Sequence, residues 1–275
     1  MKELRLRRLY NHGSKKLLIT PLDHGMTLGP IEGIYDIRKT VDTIARTKVN
    51  AIILHKGNIL VCKDILQNHK DIAVILHLSA SLHFSPNKER KVLVACVEEA
   101  MQLGVDAVSI HINVGNDHDY QMLQDFGKIS DECRRWGMPL LAMVYPRGNS
   151  IDEKDTNNNM LAARIAMEIG ADIVKINYTG DPRSFERIIQ GVNIPVVVAG
   201  GEFTTNSAKF IKDIKEAIQV GAAGVAIGRN VFQRPDIANF IETIDEVINP
   251  ETSPTNSLNK SLIAATKDVE TDKSH

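Results

Sequence analysis

Short apolar runs alternate with longer amphipathic stretches from Leu17 to about Ile248. The runs fall at Leu17 to Pro21, Ala51 to His55, Ala73 to Leu78, Asp106 to His111, Leu140 to Tyr145, Ala171 to Asn177, Pro195 to Ala199 and Gly224 to Gly228. Between them, Val92 to Gly104, Met122 to Trp136, Asn159 to Gly170 and Ala208 to Gly221 show helical apolar spacing. Each ends at or near glycine, as helices often do. Strands that alternate with helices predict a parallel sheet. Eight such units in about 250 residues predict a single-domain (β/α)8 barrel, the TIM barrel, over residues 1–248. A doubly wound open sheet is the rival. No Gly-x-Gly-x-x-Gly fingerprint opens a helix after the first strand, which weakens a dinucleotide-binding version of that rival. After Ile248 the composition shifts to Asn249-Pro-Glu-Thr-Ser-Pro and then to a polar, lysine-containing end. Residues 249–275 are therefore expected to form a disordered tail.

An internal repeat sets the register of the strands. Gly104-Val-Asp-Ala-Val-Ser-Ile-His111 aligns with Gly170-Ala-Asp-Ile-Val-Lys-Ile-Asn177 and with Gly221-Ala-Ala-Gly-Val-Ala-Ile-Gly228. Side chains alternate faces along a strand, so Val108, Ile110, Val174, Ile176, Val225 and Ile227 should face the outer helices. The column Ser109, Lys175 and Ala226 should then face the barrel interior, with small Ser109 and Ala226 leaving space for the long lysine if their strands lie close enough. His111, Asn177 and Gly228 follow at the carboxyl lip, where barrel active sites lie.

Composition narrows the function classes. A formal net charge of -1, with 43% hydrophobic and 24% charged residues, describes a globular protein with no global attraction to nucleic acid or an anionic membrane. Cys62, Cys96 and Cys133 are odd in number, scattered and without a Cys-x-x-Cys pair, so neither a disulfide framework nor a cysteine-rich zinc site is expected. The basic N-terminus has no apolar stretch of signal-peptide length after it, and no run reaches membrane-spanning length. A cytoplasmic location is the expectation.

Lys175 is the feature that changes the picture most. A lysine ammonium among apolar and β-branched residues is costly unless it is paired or loses its proton, and a neutral amine is a nucleophile. Pro21-Leu-Asp-His-Gly-Met-Thr27 ends the first strand and Val144-Tyr-Pro-Arg-Gly148 the fifth, which brings Asp23, Tyr145, Arg147 and Lys175 to one end of the barrel. A Schiff-base aldolase needs such a set: an amine to form the iminium, a carboxylate to orient or move protons, and a phenol for proton transfer. The seventh and eighth loops carry Val198-Ala-Gly-Gly-Glu202 and Ala226-Ile-Gly-Arg-Asn230. Loops at these places cradle phosphate through backbone N–H groups, with arginine adding a fork of donors. Taken singly, each residue also has an ordinary reading: Lys175 salt-bridged, Asp23 a turn cap, Tyr145 a packing residue, Gly200 and Gly201 a tight turn. His24, His55, His77 and His111, near the ends of strands one to four, also raise a zinc-dependent aldolase as an alternative.

These motifs, together with Leu54-His-Lys-Gly57, Ser109-Ile-His-Ile-Asn-Val-Gly115 and Tyr178-Thr-Gly-Asp181, resemble the archaeal-type class I aldolases from Leu6 to about Ile248. That family includes fructose-bisphosphate aldolases, 2-amino-3,7-dideoxy-D-threo-hept-6-ulosonate synthases, and relatives that join aspartate semialdehyde to dihydroxyacetone phosphate toward 3-amino-4-hydroxybenzoate. The resemblance implies that Lys175 forms the Schiff base, Tyr145 donates a proton and Asp23 accepts one. It also implies ligand contacts by Asp23, His24, Gly25, Met26 and Thr27, by Tyr145, Pro146 and Arg147, by Gly200 and Gly201, and by Gly228 and Arg229. The heptulosonate synthase reaction, with aspartate semialdehyde as acceptor, is the foremost expectation. The opening Leu4-Arg-Leu-Arg-Arg-Leu-Tyr10 resembles the 3-amino-4-hydroxybenzoate relatives, whereas Tyr145-Pro-Arg-Gly148 resembles the heptulosonate synthases. Asn177, two positions beyond the lysine, and the lack of a basic residue directly after Gly201 depart from the family pattern. Small phosphorylated sugars and aldehydes are the expected partners, no cofactor or metal is expected, and assembly into a homo-oligomer such as a decameric ring is implied. A non-catalytic sugar-phosphate-binding regulator remains the competing class.

Overall fold

The structure is a computed structural model that describes residues 1–10, 16–148 and 150–251. Eight parallel strands close into a barrel in sequence order: β1 (Leu17–Pro21), β2 (Ala51–Leu54), β3 (Ala73–His77), β4 (Ala107–Val114), β5 (Leu140–Pro146), β6 (Ile173–Ile176), β7 (Val196–Ala199) and β8 (Gly224–Ala226), with β8 pairing back onto β1. The expected barrel is thus the observed one, and the open sheet is excluded. Residues 252–275, which hold nearly all of the expected tail, lie outside the described residues.

Alternation on the strands builds two apolar layers. Val108, Ile110, Val174, Ile176, Val225 and Ile227 pack in the outer layer beneath the helices, as the repeat predicts. Ile19, Ala51, Ile53, Ala73, Ile75, Ala107, Leu141, Met143, Ile173, Val197 and Ala226 fill the interior. The helix Lys2–Leu9 closes the amino-terminal end, and its Leu9 is fully buried among the interior residues. Lys2 pairs with Asp172 at 2.8 Å, Arg8 pairs with Asp106, and Arg5 Nη1 donates to the Gly137 carbonyl at 3.1 Å.

Two expectations are corrected. The helix placed over Val92 to Gly104 begins only at Val97, because Val92–Leu93 forms an antiparallel pair with Ser79–Ala80. This hairpin follows β3 and folds over the carboxyl end of the barrel. Ser109 does not leave space beside Lys175 either. The stagger of the strands sets Met143 opposite Lys175 and His111 opposite Met143, which leaves Ser109 two residues lower, opposite Leu141. There its hydroxyl meets His77 Nδ1 at 2.8 Å. Ala226 and Ala199 supply the open space next to the lysine instead.

Candidate active site

The carboxyl ends of the strands enclose a cavity of about 260 Å³ lined by Lys175, Asp23, Tyr145, Arg147, Arg229, Gly200, Gly201 and Gly228, among others. Lys175 rises from β6 and is 8% exposed. Its amine makes no hydrogen bond or ion pair with any described residue. Its neighbours in the sheet, Met143 and Val197, are apolar and wall it on both sides. The Tyr145 ring lies edge-on to His111 at 5.0 Å, and the Arg147 guanidinium sits 4.8 Å above its centroid. Arg147 Nε in turn donates to Glu153 Oε1 at 3.0 Å. Asn177 Nδ2, on the same lip, reaches Glu153 Oε2 at 3.4 Å.

Asp23 follows β1 and sits among histidines. His77 Nε2 and His24 Nδ1 both lie 3.5 Å from its carboxylate, and His77 is itself anchored by Ser109. Burial pushes the Asp23 carboxyl upward, but His77, His24, Lys175 and His55 pull it down more strongly, so it is held well below the usual carboxylate range. Burial drives His77 down to about 4 against the opposing pull of Asp23, so it is neutral at pH 7. His24 and His55 are lowered by burial too. His111 falls well below its ordinary value through burial and then through Lys91 and Arg147. Among the described residues no three His, Cys, Asp or Glu side chains are arranged to hold a metal ion. The four strand-end histidines make other contacts: Asp23 and Ser109 for His77, Phe232 for His24, the His77 ring for His55, and Asn113 for His111.

The two glycine loops form the adjoining wall. Gly201 has φ +68°, a left-handed conformation that a side chain disfavours. A Cβ at Gly228 would lie 2.5 Å from His24 Cε1 and 2.8 Å from the Pro21 carbonyl oxygen, so only glycine lets this loop close against the end of β1. Buried Asn230 ties the loops together. Its Nδ2 donates to the carbonyls of Gly200 at 2.9 Å and Glu202 at 2.6 Å, and its Oδ1 accepts from the Thr204 amide at 2.9 Å. Arg229 Nε is buried without a partner, and Arg229 Nη1 meets the exposed Glu202 only at 3.6 Å. A larger opening of about 650 Å³ adjoins the cavity and shares Arg147, Asn177, Gly200, Gly201 and Arg229 with it.

Of the residues singled out from sequence, Asp23, His24, Thr27, Tyr145, Arg147, Lys175, Gly200, Gly201, Gly228 and Arg229 line the cavity. Gly25, Met26 and Pro146 do not: Gly25 and Met26 enter the short helix Gly25–Leu28 with Met26 turned to solvent, and Pro146 ends β5 facing its partner strand. Sequence reasoning missed Lys91, which also lines the cavity and donates to Ser81 Oγ at 2.5 Å. Lys91 sits in the run Lys88-Glu-Arg-Lys91, which reads as a solvated loop. Only the hairpin that brings Val92 back to Ala80 reveals its inward direction.

A closed barrel with a buried, unpaired lysine and a carboxylate gathered at its carboxyl end is the frame of a barrel enzyme. The chain belongs to the DeoC/LacD family of aldolases, whose sequence profile matches residues 17–234. It is 43% identical over 248 residues to 2-amino-3,7-dideoxy-D-threo-hept-6-ulosonate synthase 1 of Archaeoglobus fulgidus, covering 90% of this chain and 91% of that one. It is 37% identical over 255 residues to 2-amino-4,5-dihydroxy-6-oxo-7-(phosphonooxy)heptanoate synthase of Streptomyces griseus, with 90% of each chain covered. Among solved structures it superposes on an archaeal fructose-1,6-bisphosphate aldolase whose catalytic lysine is covalently bound to the carbinolamine intermediate. That match has a TM-score of 0.78 and 27% identity, over 90% of this chain and 100% of that one. The chain is therefore a class I aldolase, working through a lysine Schiff base, as its sequence implies. No helix among the described residues is long and apolar enough to cross a membrane.

Proposed function

We propose that Lys175 is the Schiff-base lysine and that the enzyme joins a ketose-phosphate fragment to aspartate semialdehyde, as a 2-amino-3,7-dideoxy-D-threo-hept-6-ulosonate synthase does. The observation that carries this reading is the unpaired amine of Lys175 in one cavity with Asp23, Tyr145 and the orphaned Nε of Arg229. Arg229, with the amides of the Gly200-Gly201 and Gly228 loops, receives the phosphate of the donor. Lys175 Nζ adds to the donor carbonyl carbon; the carbinolamine then loses water to give an iminium. With a ketose phosphate, Asp23 takes the proton of the hydroxyl two carbons from the iminium as the intervening carbon-carbon bond breaks, so an aldehyde departs and the retained fragment is an enamine; with dihydroxyacetone phosphate, Asp23 takes a proton from the adjacent carbon instead. The enamine carbon attacks the aldehyde of the second substrate, and Tyr145 gives the new alkoxide its proton. Water releases the product and regenerates the amine. His24, Thr27 and Arg147 contact the ligands from the lip. Gly25, Met26 and Pro146 act through the backbone they hold. In this reading the enzyme is a cytoplasmic homo-oligomer, whose stoichiometry light scattering would give.

The Streptomyces griseus relative is named for 2-amino-4,5-dihydroxy-6-oxo-7-(phosphonooxy)heptanoate, which an aldol disconnection between C4 and C5 divides into dihydroxyacetone phosphate and aspartate semialdehyde, and this supports a second donor with the same acceptor. Side-by-side turnover separates the readings. Fructose 1,6-bisphosphate and dihydroxyacetone phosphate are each supplied with aspartate semialdehyde and with glyceraldehyde 3-phosphate. Carbon-carbon bond formation with aspartate semialdehyde is expected to dominate. Turnover confined to glyceraldehyde 3-phosphate would make the protein a fructose-bisphosphate aldolase instead.

A further inference from the structure

Lys91 enters the cavity without a carboxylate in ion-pair contact among the described residues. It stands just before the Val92–Leu93 strand, and the hairpin with Ser79–Ala80 fixes its backbone. Two further bonds hold this segment against β4: Asn113 Nδ2 donates to the Glu89 carbonyl at 2.7 Å, and Ser79 Oγ accepts from the His111 amide at 2.8 Å. Among the described residues the Lys91 amine makes no ion pair, and its one hydrogen bond goes to the neutral Ser81. Burial, and then the Arg147 charge, lower its amine to about 8, with Glu89 and Asp23 opposing. Among the described residues no carboxylate lies within ion-pair distance of the Lys91 amine, which shares the cavity with Arg147, so a bound anion is the partner its charge lacks.

The barrel order places Lys91 opposite the Arg229 loop. In a closed ring of eight strands β4 lies across from β8, so Lys91, tied to β4, faces Arg229, which follows β8. Lys175 on β6 stands between the two poles. One substrate phosphate satisfies Arg229, which leaves a second anionic site for the other reactant.

We propose that Lys91, together with Arg147, binds the carboxylate of the acceptor aldehyde and so selects a carboxylate-bearing acceptor; this rests on Lys175 being the Schiff-base lysine of a two-substrate aldolase. Lys91 is then a specificity-determining residue. Arg147 contributes less on its own, because Glu153 already engages it at 3.0 Å.

The test compares three four-carbon aldehydes as acceptors with one ketose-phosphate donor: aspartate semialdehyde, succinate semialdehyde and butanal. In the wild type kcat/KM is expected to be higher for the two carboxylates than for butanal. Loss of a buried charge-assisted hydrogen bond should cut that preference roughly tenfold to a hundredfold in Lys91→Gln. Lys91→Arg, which keeps the charge, should restore part of it. Equal use of butanal and succinate semialdehyde by the wild type would overturn the proposal without any variant. So would Lys91→Gln losing activity equally with all three aldehydes, or keeping the wild-type preference. Faster use of glyceraldehyde 3-phosphate than of either carboxylate would overturn it in favour of a phosphate. If the wild type turns over none of these acceptors, the proposed two-substrate reaction fails, whatever Lys91 does.

Discussion

At the scale of single residues, the site is a set of charges that oppose one another at close range. Asp23 is held well below the usual carboxylate range by the charges that its histidine neighbours take up in acid and by Lys175, whereas burial keeps His77 neutral until about pH 4. The sign of the pH dependence follows. Between about pH 6.5 and pH 4 the unfolded chain takes up a proton that His77 in the fold refuses, so stability falls as pH drops through this window. Above pH 6.5 this group contributes nothing to the slope. Urea unfolding free energies measured from pH 7 to pH 4.5 should therefore decline, and His77→Gln should flatten the decline by roughly 2 kcal/mol over the window. An unchanged slope in the variant would show that His77 is not held neutral. Lys175 and Lys91 also show what sequence can reveal at this scale. Lys175 interrupts an apolar strand and stands out at once, whereas Lys91 sits among charges and its burial comes from long-range folding. The repeat aligns Ser109 with Lys175, yet the two stand at different heights in the barrel, because stagger is set by strand pairing across the sheet, which local sequence does not encode.

At the scale of elements, the loops after β7 and β8 act as one unit through Asn230. Replacing Asn230 by alanine leaves two carbonyls and one amide without their partner in a buried place, which should cost about 1–3 kcal/mol in urea unfolding. Because the same loops hold the proposed phosphate site, the donor KM should rise in parallel. A stability loss with an unchanged donor KM would separate the two roles. Gly228→Ala should be more damaging to activity, since the added Cβ meets the Pro21 backbone at 2.8 Å as well as the His24 ring. The strands were legible because apolar runs punctuated by glycine and proline are local signals. The hairpin between Ser79–Ala80 and Val92–Leu93 was not, because its two strands span only two residues each and are separated by a polar loop.

At the scale of the whole molecule, the barrel needs a plug at one end and a site at the other. The helix Lys2–Leu9 supplies the plug, and its Leu9 joins the interior layer that extends up to Tyr145. Leu9→Ala should lower stability by about 2–5 kcal/mol, read from chemical unfolding, while kcat at 25 °C changes little because the cavity lies at the far end. A large fall in kcat without a fall in stability would contradict that separation. The central claim is that Lys175 is the amine that becomes covalently bound to the donor. Incubation with dihydroxyacetone phosphate or fructose 1,6-bisphosphate followed by borohydride should add the mass of one reduced donor adduct, on the peptide containing Lys175 and absent from Lys175→Ala. An adduct on another lysine, or none with either ketose phosphate, would contradict the account.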